Sequence, residues 1–85
     1  MNFPNPTRYF DGYKRCVAFQ GHDAAREISF EVDVEALRVM SGGAGTGETA
    51  LLAAFDAHRE RIEKVAGKAW SRKKLSYIRL SEADF

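Results

Sequence analysis

Eighty-five residues, 45% hydrophobic and 29% charged, describe one small domain and leave no room for a second core. Six Phe, three Tyr and one Trp exclude a disordered chain, and a net charge of +1 gives no global pull toward nucleic acid or membrane. A single cysteine, Cys16, excludes an internal disulfide, and no apolar run approaches the roughly 18 residues of a membrane helix.

Met1–Pro6 holds two prolines and two asparagines and reads as an extended arm. It has neither the basic start nor the apolar centre of a secretory leader, so the expected location is the cytoplasm. Arg8-Tyr9-Phe10 then leads into Asp11-Gly12 and Tyr13, the composition of a two-residue hairpin turn. A second strand is expected from Tyr13 to Gln20, with Val17 and Phe19 favouring its odd positions as the inward set. Gly21-His22-Asp23 reads as a turn. A third strand follows from Arg26 to Val32, in which Ile28, Phe30 and Val32 alternate cleanly with Glu27, Ser29 and Glu31.

Asp33 is placed to cap a short helix, Val34 to Met40, with Glu35 in its first turn. The glycines between Ser41 and Gly47 break that helix and predict a flexible loop. From Glu48 to Ser71 the apolar residues Leu51, Phe55, Ile62, Val65 and Ala69 recur at helical spacing, predicting one long helix. Arg72-Lys73-Lys74 closes it, and Ser76–Ser81 reads as a last strand. The order β-β-β-α-α-β predicts a two-layer α+β domain filling residues 1–85, a mostly antiparallel sheet with one long and one short helix on one face.

Three stretches carry a family resemblance. They are Pro6-Thr7-Arg8-Tyr9-Phe10-Asp11 with Val17-Ala18-Phe19-Gln20-Gly21-His22-Asp23, then Leu51 through Ile62, then Ser76-Tyr77 through Asp84-Phe85. Together they resemble the domain of unknown function 1488 family, short proteobacterial proteins that fill their chains with this one domain. The resemblance implies a small α+β fold. It implies no activity, cofactor or catalytic residue.

Gly42–Thr49 is one residue from the phosphate-binding pattern G-x-x-x-x-G-K-[ST], but Glu48 stands where the lysine belongs. A carboxylate there repels the β- and γ-phosphates, and the loop follows a helix instead of a buried strand, so no nucleotide is expected at Gly42–Gly47. His58 falls inside the apolar stripe of the long helix. Its ordinary role there is a core-edge residue with one hydrogen bond; its chemical role would be an acid/base or ligand working with Asp56, Glu60, Glu63 or His22. Two histidines and one cysteine without ligand spacing predict no metal and no cofactor. Cys16, beside Lys14 and Arg15, reads as an inert packing thiol.

Charge is distributed unevenly. Residues 59–79 hold eight cations against Glu60 and Glu63, a local charge of +6, which leaves −5 for the rest. Arg61, Lys64, Lys68 and Arg72 share one helix face that continues into Lys73-Lys74, with Trp70 nearby as a stacking surface. The plain account of this face is a solvated helix end partly neutralised by Glu31 and Glu35. Two functions remain in view. With no paired carboxylates, no nucleophile beside a base and no ligand cluster, the first is a non-enzymatic interaction module, a homodimer or the companion of another protein. The aromatics near the N-terminal hairpin (Phe3, Tyr9, Phe10, Tyr13, Phe19) and the charge split support it. The second is nucleic-acid binding through Arg61, Lys64, Lys68, Arg72, Lys73 and Lys74.

Overall fold

The computed structural model describes every residue except Ala44 and Thr46. Its sheet has the order β1 (Arg8–Asp11), β2 (Cys16–Asp23), β3 (Arg26–Asp33) and β4 (Tyr77–Leu80). Three helices, α1 (Val34–Met40), α2 (Glu48–Ala57) and α3 (Arg59–Lys73), separate β3 from β4, and a 3₁₀ turn over Glu82–Asp84 follows β4. The α+β class is as expected, and the sheet is mixed, with two antiparallel pairings and one parallel. β1–β2 and β2–β3 are antiparallel, whereas β4 runs parallel to β3. The helices return the chain to the end of the sheet where β3 began, and such a crossover delivers a parallel strand.

Both hairpins differ from the sequence expectation. Asp11 pairs with Cys16, so four residues, Gly12–Arg15, make the first connection. Asp11 Oδ1 accepts the N–H groups of Tyr13 and Lys14, both at 3.0 Å, and Arg15 takes φ 53°. This Asx-type capture stabilises a longer turn than Asp-Gly alone requires. In the second hairpin β2 continues through Gly21-His22-Asp23, and the reversal falls on Ala24-Ala25, with Ala24 at φ 54°. Gly21 is in the strand because the N-terminal arm crosses it. A Cβ there would lie 2.7 Å from Met1 Sδ and 2.8 Å from Phe3 Cε1. The arm is anchored by an Asn2–His22 bridge, with N–H···O distances of 2.9 and 2.7 Å.

One face of the sheet presents Val17, Phe19, Ile28, Phe30, Val32, Ile78 and Leu80 to the helices. There they meet Leu51, Phe55, Ile62, Ala66, Ala69 and Trp70 in a single core. Phe19 stacks on Phe30 with centroids 5.3 Å apart and meets Phe55 edge-on at 5.2 Å. The expected long helix is two helices. His58, at φ −113° and ψ 17°, ends α2 and begins α3. A straight helix over 48–71 would be about 36 Å long, whereas the eight-residue strands beneath it reach about 27 Å. The break lets Leu51 and Phe55 on one side, and Ile62 and Ala66 on the other, stay on the sheet. Tertiary contacts hold both sides of it: Asp56 pairs with Arg8 at 2.7 Å, and Arg59 donates to the carbonyls of Pro6 and Asn5.

The glycine-rich loop expected over 41–47 lies partly outside the described residues. Within it, Gly42, Gly43 and Gly45 have φ of 74°, 82° and 74°.

Candidate functional site

α3 positions most of the expected contact residues. Its buried side is Ile62, Ala66, Ala69 and Trp70, and this stripe turns Arg61, Lys64, Lys68 and Arg72 outward. At 1.5 Å per residue the four span about 16 Å. Lys73 ends the helix, and Lys74 follows in the left-handed region at φ 54°, its N–H donating to the Trp70 carbonyl at 2.7 Å. All six cations are exposed.

The acids expected to neutralise this face are engaged elsewhere. Glu31 pairs with Lys14 and Arg79, and Glu35 with Arg15 and Arg38. Of the thirteen lysines and arginines, six form ion pairs among the described residues: Arg8, Lys14, Arg15, Arg38, Arg59 and Arg79. Of the other seven, all but Arg26 belong to α3 and its C-terminal cap. The α3 face therefore gathers most of the cations that have no ion-pair partner among the described residues, with Glu60 beside Arg61 and Lys64 as the acid on its border. Trp70 is not a stacking surface for it. The indole is buried, and Lys74 Nζ sits 4.0 Å from the ring centroid.

His58 is half-buried at the junction of α2 and α3, outside the core. With Ala57, Glu60, Arg61 and Lys64 it lines an open hollow of about 420 Å³. Of the acids weighed as its partners, Asp56 and Glu60 lie two residues away, a spacing that puts them on other helix faces, and Asp56 is taken by Arg8, whose guanidinium holds that carboxyl below its ordinary range. Glu63 is taken by Arg59 at 2.9 Å. His22 is far along β2, paired with Asn2 and Glu27. No group of three His, Cys, Asp or Glu side chains is placed to hold a metal among the described residues.

On the sheet's other face the structure assembles a cluster that sequence reasoning missed. Glu31 accepts hydrogen bonds from Tyr77 Oη at 2.6 Å, Arg79 Nη1 at 3.2 Å and Lys14 Nζ at 3.3 Å. Arg79 also donates to Asp33 and to the Lys14 carbonyl, which leaves Asp33 without a role as a side-chain cap of α1. Burial pushes the Glu31 carboxyl up, but the bonds from Tyr77 and Lys14 and the charges of Lys14 and Arg79 outweigh it, and the group is held below its usual range. The same bond holds the Tyr77 phenol above its ordinary value. Cys16 lies beneath this cluster, fully buried. Its thiol is pushed up to about 11, first by burial and then by the Glu31 charge. A thiol so protonated is a packing group. The one clue available in the sequence was Glu31 in line with Tyr77 and Arg79 on alternating strands, and it needed the parallel β3–β4 register to become legible.

The family described as Protein of unknown function (DUF1488) matches residues 1–77. The chain belongs to that family. The match covers the arm, the first three strands and all three helices, and it stops at the first residue of β4. No curated protein and no solved structure matches the chain. No helix among the described residues is long and apolar enough to cross a membrane.

Proposed function

We propose that this DUF1488 protein is a non-enzymatic interaction module that docks an anionic partner on the exposed face of α3. One observation carries the reading: six of the seven cations without an ion-pair partner among the described residues lie on this helix and its cap. Concentrated, unneutralised charge steers an oppositely charged partner and fixes its orientation. The non-enzymatic part is supported by chemistry. The Cys16 thiol is protonated and enclosed, Glu31 is fully engaged, and Tyr77 keeps its proton. Nucleic acid is the second anionic partner this face fits, through its phosphates.

The test compares the wild type with Lys68→Glu/Arg72→Glu and with Arg26→Glu, which reverses the one unpaired cation off the face. Polyglutamate and a short DNA duplex serve as probes in binding titrations from 25 to about 300 mM salt. The wild type binds at least one probe at low salt, and the double reversal abolishes binding while Arg26→Glu leaves it. For six phosphate contacts, log K against log salt has a slope of about −5. The proposal is wrong if neither probe binds at the lowest salt, or if Arg26→Glu weakens binding as much as the double reversal.

A further inference from the structure

β4 has one paired and one bare edge. Ser29 lies opposite Tyr77, and its N–H donates to the Ser76 carbonyl at 2.8 Å. In this parallel register Ile78 and Leu80 point their N–H groups at β3, and Ser76 and Ile78 point their carbonyls there. The N–H and C=O groups of Tyr77 and Arg79 therefore face away from the sheet. Neither residue's main chain makes a hydrogen bond outside that ladder among the described residues. β4 is short, contains no proline, and its one charged side chain, Arg79, is tied to Glu31, Asp33 and the Lys14 carbonyl toward β3 instead of guarding the outer edge.

α3 brings charge to the same side. The flank of α3 bearing Arg59, Glu63 and Gly67 faces the N-terminal arm: Arg59 donates to Pro6 and Asn5, and a Cβ at Gly67 would lie 3.9 Å from Met1 Cβ. The arm lies on the β1 side of the sheet, because Asn2 bridges His22 on the edge of β2 opposite β3. At 100° per residue, Arg61, Lys68 and Arg72 occupy the opposite flank, on the side of β4. A bare strand edge and a row of unpaired cations therefore border one another.

We infer that this edge takes an extended acidic segment of a partner protein as a fifth strand. This rests on the basic face of α3 as the docking surface and names the partner's chemistry. The partner backbone completes the ladder at Tyr77 and Arg79, the strand-addition mode of peptide recognition. Its alternate side chains, about 6.6 Å apart along a strand, meet Lys68 and Arg72, which are about 6 Å apart along the helix. Carboxylates at every second residue fit that spacing. A second copy does not. Pairing β4 with its own image would set Lys68 and Arg72 of both chains on the same side of one continuous sheet, like charge against like. Nucleic acid would use the cations but has no amide ladder for the edge, and the Trp70 ring is already covered by Lys74.

The experiment uses a fluorescein-labelled dodecapeptide of alternating Glu and Val at low salt. Its controls are the same peptide N-methylated through its central six residues and a single-stranded oligothymidine of matched charge. The unmodified peptide binds. N-methylation, which keeps the charge and removes the ladder donors, weakens binding at least tenfold, as does Lys68→Glu/Arg72→Glu with its circular dichroism unchanged. The amide protons of Tyr77 and Arg79 exchange at least tenfold more slowly in the complex. If the N-methylated peptide or the oligothymidine binds as tightly as the unmodified peptide, or if those amides gain no protection, strand addition is refuted while the docking face of α3 stands. If none of the three probes binds, both readings fall.

Discussion

Removing the Glu31 carboxylate tests the electrostatic logic of the open sheet face. The Glu31 side chain is 8% exposed and accepts three hydrogen bonds. Deleting one partner of a fully buried ion pair costs about 3–5 kcal/mol, because the charge left behind is stranded. Here the partners are not stranded: the Lys14 and Arg79 side chains are 57% and 36% exposed and regain water. Each lost bond then costs about its net value, near 0.5–1 kcal/mol, and Glu31→Ala loses about 2 kcal/mol in total. For a domain of this size that lowers Tm by roughly 10 °C. Glu31→Gln retains one acceptor, costs about half as much, and adds a pH signature. A carboxyl held below its unfolded value stabilises the fold in full above about pH 5, and that contribution disappears as pH falls through the folded-state value. The gap between wild type and Glu31→Gln is therefore widest near pH 7 and closes in acid. Urea unfolding followed by circular dichroism at pH 7 and pH 3 measures it. A gap under 0.5 kcal/mol at pH 7, or one that grows as pH falls, would refute the reasoning.

Two further outcomes follow from the packing. Gly21→Ala drives a methyl into Met1 Sδ and Phe3 Cε1. The thioether can swing aside, but the Phe3 ring cannot move without leaving Phe19 and Phe30, at 6.2 and 5.9 Å. The variant loses about 1–3 kcal/mol, and the Asn2 and His22 amides exchange faster than those of the β2–β3 ladder; unchanged exchange at both would show that the arm is not anchored there. Cys16, buried and with its thiol pushed up to about 11, resists alkylation by iodoacetamide at pH 8 in the native state and reacts promptly in urea. Equal rates in the two conditions would contradict its enclosure.

Local pattern made part of this fold legible. The alternation of Ile28, Phe30 and Val32 in β3 and the positions Ile62 and Ala69 in the helical stripe describe real faces, because burial there is decided by the element itself; Val65, read into the same stripe, is only partly buried, and the adjoining Ala66 is the buried residue. The break at His58 was illegible for the opposite reason. Leu51, Phe55, Ile62 and Ala66 would also share one face of an unbroken helix, and neither proline nor glycine marks the junction. The break is imposed by the reach of the strands and by Arg8 and Arg59 holding its two sides. Glu31 shows the same limit with Tyr77 and Arg79: it belongs to β3 and they to β4, all at ordinary outward positions of alternating strands, and only the parallel register makes them a cluster.

The uneven charge was visible from composition, but its meaning depended on where the acids went. Had Glu31 and Glu35 reached α3, its cations would have been half of a solvated network with little to offer a partner. Instead the sheet and α1 use those acids internally, for Lys14, Arg15, Arg38 and Arg79. Folding thus commits six of the thirteen cations to ion pairs that fix the scaffold and, Arg26 apart, displays those without an ion-pair partner among the described residues along α3 and its C-terminal cap. The same division protects the bare edge of β4. A strand that approaches it without negative charge gains two residues of ladder, and one carrying positive charge meets repulsion from Lys68 and Arg72 as well. In the strand addition we infer, α3 sets selectivity and β4 affinity, so reversing the helix charges should invert the preference: Lys68→Glu/Arg72→Glu should favour an alternating Lys-Val peptide over the Glu-Val one. A variant that binds both peptides equally, with the Tyr77 and Arg79 amides protected in each complex, would show that the edge alone selects its strand and that the helix plays no part.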